Sequence, residues 1–119
     1  HTDGAAHIES KADLIRLTEP TPNAKVTSPL TLHGEARGYW FFEASFPVSV
    51  VDWDGRIIGD GIAQANGEWM TEDFVPFTAT INFIIPPDTP YRHGTLILKK
   101  DNPSGDPSRD DALEIPITF

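Results

Sequence analysis

A chain of 119 residues and 13.1 kDa has the size of one domain, and its 39% apolar and 10% aromatic residues can fill a core, which excludes disorder throughout and a two-domain arrangement. The acid excess, 18 Asp and Glu against 9 Lys and Arg, gives a net charge of −9 that repels phosphate backbones and anionic lipid surfaces, so nucleic acid and membrane are not expected partners. Without cysteine there is no disulfide, thiolate metal site or cysteine nucleophile. No stretch nears the roughly 18 continuous apolar residues of a membrane span, so no membrane insertion by this domain itself is expected.

The opening residues 1–13, HTDGAAHIESKAD, lack sustained periodicity and read as a flexible tail, tag scar or linker, leaving 14–119 as the domain. With no initiator Met, the chain reads as a mature form or an excised domain. From Leu14 onward, short alternating apolar runs recur between turn signals, the pattern of strands rather than helices. Ile15 and Leu17 share a face before Pro20 and Pro22, which end pairing and keep that segment at an edge. In LTLHGEA, Leu30, Leu32, Gly34 and Ala36 alternate with Thr31, His33 and Glu35, a half-buried strand.

The run WFFEASFPVSVVD sets Phe42, Ala44, Phe46, Val48 and Val50 on one face and predicts a central core strand. Its outward Pro47 has no N–H for a ladder and points to a bulge or a locally unpaired side. DWDGR then reads as an exposed two-residue hairpin turn, from which IIGDGIAQA returns with a bulge or close approach at Gly59 and Gly61. After a second turn at Asn66 and Gly67, residues Phe77, Ala79, Ile81, Phe83 and Ile85 share a face. A loop with three prolines precedes the last two strands, which turn Leu96 and Leu98, then Leu113, Ile115, Ile117 and Phe119 inward. These elements predict an all-β, immunoglobulin-like antiparallel β-sandwich of about seven to eight strands without a disulfide, with a closed barrel as runner-up.

The segments SPLTLHGEARG, WFFEASFPV, GIAQANGEWMTEDFVPF and DNPSGDPSRDDALEIP carry a resemblance that extends from Val26 to Phe119. They are similar to the immunoglobulin-like domain of bacterial spore germination, a module of exported and lipid-anchored bacterial proteins. The resemblance implies an immunoglobulin-like fold, an extracytoplasmic location, secreted or attached to the cell envelope, and no catalytic residues. The expected function is a non-catalytic interaction module in spore germination or cell-wall processes. Its expected partner is a protein or a cell-wall glycan of the envelope.

Candidate sites fall in three places. Tyr39, Trp40, Phe41 and Phe42 are consecutive, so alternation forces at least one ring outward. With Trp53, Trp69 and Met70 they could form an exposed apolar patch, a contact surface for a protein or a stacking platform for sugar rings beside Glu43, Glu68 and Glu72. The competing reading has Trp40 or Trp69 plugging an open end of the sandwich. The segment KKDNPSGDPSRDDALEI offers Asp101, Asp106, Asp110 and Asp111 as oxygen ligands for calcium, yet Pro103 and Pro107 interrupt any EF-hand spacing. A polar loop of consecutive turns is the preferred reading, and no cofactor is expected. Asp52 and Asp54 could mimic the paired acids of a glycosidase, but as turn residues they are expected to titrate normally. His1, His7, His33 and His93 lack zinc spacing.

Overall fold

Alternating apolar positions become strands where each inward side chain finds the same interior, and seven strands do so among the described residues. A computed structural model describes residues 5–19, 21–41, 44–85, 92–100 and 111–119. Its strands are β1 (Ile15–Glu19), β2 (Leu30–Arg37), β3 (Ser45–Val51), β4 (Ile57–Ala65), β5 (Phe74–Phe83), β6 (His93–Lys99) and β7 (Ala112–Thr118). A short helix, α1 (Ala5–Lys11), precedes them in the segment read as a tail, and Lys11 Nζ pairs with Asp111 Oδ1 at 2.6 Å. Among the described residues no helix is long and apolar enough to cross a membrane.

All strand pairs are antiparallel, in the order β1-β2-β5-β4-β3-β6-β7. That is the immunoglobulin arrangement, with β1-β2-β5-β4 as one layer and β3-β6-β7 as the other. The layers are not separate sheets as expected, because the β3–β4 hairpin carries the ladder from one into the other. The far edges also approach each other. Among the described residues β1 pairs only with β2, and the chain then crosses to β7, where Asn23 N donates to Pro116 O at 2.7 Å and Val26 N to Thr118 O at 2.8 Å. Lys25 bridges Thr118 in parallel, so one sheet wraps almost into a barrel. Pro116 suits this place, since its missing N–H is not asked for while its carbonyl accepts.

The core is continuous between the layers. Phe46, Phe83 and Ile115 belong to one buried cluster with Leu32, Phe77, Ile81, Leu96 and Leu113. Phe46 and Phe77 meet edge to face at 5.0 Å between centroids, and Phe41 closes a trio at 5.2 Å from Phe46. Such edge-to-face pairs add to what burial alone supplies. At the opposite end, the rings of Phe83 and Phe119 lie 5.6 Å apart.

Two details of β3 and β4 differ from the plain alternation. β3 starts at Ser45, because Ala44 takes φ 66 and the preceding Gly38–Trp40 form a 3₁₀ turn. Phe42, expected on the core face, lies outside the described residues. On the β6 side the β3 ladder spans only Val48–Val51, so Pro47 stands beyond its end and the absent N–H leaves no gap. The register of β3 against β4 shifts beyond Val50, which pairs with Gly59 while Val51 pairs with Ile57. The extra residue, Ile58, turns toward the core, and Ile57 turns outward. A Cβ at Gly59 would fall 2.6 Å from Asn82 O, so that glycine lets β5 approach.

Candidate functional site

Strand direction decides which connections meet. β2 ends, β3 begins, β4 ends, β5 begins, β6 ends and β7 begins at one end of the wrapped sheet. The described parts of three connections, 38–41 with Ala44, 66–73, and Lys100 with Asp111, therefore gather there. Tyr39, Trp40 and Trp69 belong to that end, and so does Asp111. Trp53 sits in the β3–β4 turn at the other end.

The 3₁₀ turn sorts the consecutive aromatics. Trp40 is buried with 0% exposure and Phe41 with 4%, while Tyr39 is 48% exposed. Trp40 is thus an end plug of the core and not a surface contact. Its Nε1 meets no acceptor among the described residues. Trp69 is half-buried and packs against the core, and the neighbouring Met70 stands 77% exposed. Tyr39, Trp69 and Met70, with Gly38, Thr71 and Glu72, line one open hollow of about 340 Å³.

Gly38 makes this junction, since a Cβ there would overlap the carbonyl oxygens of Thr71 and Trp69. Its N–H donates to Asp73 O at 3.2 Å, tying the two connections together. The third connection joins through Lys100, whose Nζ lies 5.7 Å from the centre of the Tyr39 ring, within the range of cation–π attraction. An apolar hollow with Glu72 in its lining and Lys100 beside its Tyr39 ring is equipped to hold a ligand with both apolar and polar groups.

Of the proposed calcium ligands, Asp101, Asp106 and Asp110 lie outside the described residues. Asp111 is described, and its Oδ1 accepts from Lys11 Nζ and from Ala112 N at 2.9 Å.

The β3–β4 turn overturns one expectation. It is a three-residue loop: Gly55 N donates to Asp52 O at 3.0 Å, Asp52 N donates to Arg56 O at 2.9 Å, and Gly55 takes φ 81. A type I turn followed by a left-handed residue needs that glycine. Asp52 is 4% exposed, and its Oδ1 accepts from Asp54 N at 3.0 Å and Arg56 N at 2.9 Å, while Oδ2 accepts from Arg56 Nε at 2.9 Å. Burial alone pushes its pKa up, but the two backbone donors and the Arg56 guanidinium outweigh that, and the net shift is downward. Asp52 is therefore a turn anchor that stays ionised, and it does not titrate normally.

A group depressed in the folded state stabilises above its unfolded pKa, about 3.9 for Asp, and loses that contribution as pH falls through the folded value. The Asp52→Asn variant should melt lower than the parent by a constant margin above about pH 5, and the margin should shrink below about pH 4. Thermal melts across pH 2 to 7 check this, and a margin that stays constant to the lowest pH would contradict it.

Sequence reasoning found Tyr39, Trp69 and Met70 but not Gly38 or the position of Lys100, because strand order alone brings those connections together. A family model described as the immunoglobulin-like domain of bacterial spore germination matches residues 14–106. No curated protein and no solved structure matches the chain.

Proposed function

Because the chain belongs to the family of immunoglobulin-like domains of bacterial spore germination, we propose that it is a non-catalytic interaction module of an exported or envelope-attached protein. Its contact surface is the end that gathers residues 38–41, 66–73 and Lys100. The observation that carries this reading is the hollow lined by Tyr39, Trp69 and Met70, where exposed apolar groups lie together on one small domain. Aromatic anchors in such a hollow supply most of the energy of a contact. A protein of the cell envelope is the first partner class. A cell-wall glycan is the second, favoured by the open Tyr39 ring beside Glu72, a ring face with a carboxylate for hydroxyls.

Binding of purified cell-wall glycan and of exported proteins cross-linked in place tests this. Tyr39→Ala and Met70→Lys should each weaken binding about tenfold or more, whereas Trp53→Ala at the opposite end should leave it unchanged. Binding that survives both substitutions but fails with Trp53→Ala would place the contact at the wrong end.

A further inference from the structure

The outer surface of the wrapped sheet is not uniform. Over β1, β2 and β5, the guanidiniums of Arg16 and Arg37 each lie 4.1 Å from the Phe74 ring centre, and they pair with Glu35 at 3.2 Å and Asp13 at 3.0 Å. That face is dressed in charge. The outer face of β4, β3 and β6 is apolar instead: Ile62 stands opposite Pro47, Ile57 opposite Val51, and Ser49 lies between Asp60 and Ile97. Ile57 is 68% and Ile62 58% exposed, and with Pro47 and Ile97 they line a shallow depression of about 480 Å³. All three strands are hydrogen-bonded on both sides, so a partner lies on this face rather than adding a strand.

The charges on this face select the occupant. Asp60 on β4 and Lys99 on β6 flank the apolar centre from opposite sides, both exposed, and neither has an ion-pair partner among the described residues. An acidic partner meets Asp60 and a basic one meets Lys99, but a face carrying one of each across an apolar centre complements itself. We propose that a second copy of this chain docks here as a two-fold symmetric dimer. A two-fold axis lying in the face, between Pro47 and Ser49, brings Asp60 over Lys99 of the other copy and lays Ile62 over its Pro47. The contact is isologous, so each charge pair and each apolar contact occurs twice.

Sedimentation equilibrium of the full chain from about 10 µM to about 1 mM tests this for a face of small extent, at about 0.15 M salt, where repulsion between the acidic copies is screened. The expected result is a mass that rises from monomer to dimer. Ile62→Arg should weaken association about tenfold or more. Asp60→Lys and Lys99→Asp should each weaken it about five- to twentyfold, since both symmetric pairs become repulsive at once. Mixing the two charge variants should restore association, because every cross pair between them is again opposite in sign. These side chains are exposed, so melting temperatures should change little; if Ile62→Arg fails to fold, the charge variants and their mixture decide alone. A monomer at every concentration, a dimer unaffected by these substitutions, or a mixture as weak as its components would overturn the proposal.

Discussion

Replacing Phe46 by alanine should lower the unfolding free energy by about 3–5 kcal/mol, because it empties the centre of the aromatic trio. Phe46 has 0% exposure and edge-to-face contacts to Phe41 at 5.2 Å and Phe77 at 5.0 Å. It stands on β3 and Phe77 on β5, so the same side chain joins the two layers that the β3–β4 hairpin connects through the backbone. Without a disulfide, this packing is what holds the layers face to face. A domain of this size is stable by only about 5–15 kcal/mol, so the variant should be marginal at room temperature. Urea denaturation measures the loss. Ile84→Ala, at a residue 80% exposed, is the control and should change stability by less than about 0.5 kcal/mol. A loss below about 1 kcal/mol for Phe46→Ala would mean the layers are joined elsewhere.

Gly38→Ala should have the next largest effect, about 2–4 kcal/mol, and its damage should be concentrated at the candidate surface. The added methyl meets two backbone carbonyls, those of Thr71 and Trp69, which cannot swing aside as a flexible side chain can. The connection 66–73 must therefore move, opening the hollow and loosening Trp69 from the core. Tryptophan fluorescence should shift to the red, and amides near Asp73 should exchange faster than those of β3 and β6. Gly67→Ala in the same connection meets nothing within 4 Å and should be nearly silent. Equal effects from the two glycines would remove Gly38 as the junction.

Much of the fold was legible because alternation is a direct image of one buried face. Leu30, Leu32 and Ala36, then Phe77, Ala79 and Ile81, then Leu113, Ile115 and Ile117 are all buried as their spacing requires. What failed had local causes that alternation does not encode. Ala44 at φ 66 and the 3₁₀ turn break the alternation of WFFEASFPVSVVD, and they send Trp40 inward while Tyr39 faces solvent. The bulge at Ile58 reverses the parity of β4, which is why Ile57 and Ile62, five positions apart, share the outer face. Asp-Gly signalled the β3–β4 turn correctly, but the loop is one residue longer than the tightest hairpin, and Asp52 folds beneath it. The candidate surface depends on strand order, a long-range property, so its members were visible singly and not as a group.

Nuclear Overhauser contacts in an isotopically labelled sample test most directly whether one wrapped sheet brings residues 38–41, 66–73 and Lys100 to a single end. The account predicts contacts from Ser49 to both Asp60 and Ile97, from Lys25 to Thr118, from Gly38 to Thr71, and from the Tyr39 ring to the Lys100 side chain. Ser49 in contact with one neighbouring strand only, together with a Tyr39 ring that touches neither connection, would contradict it.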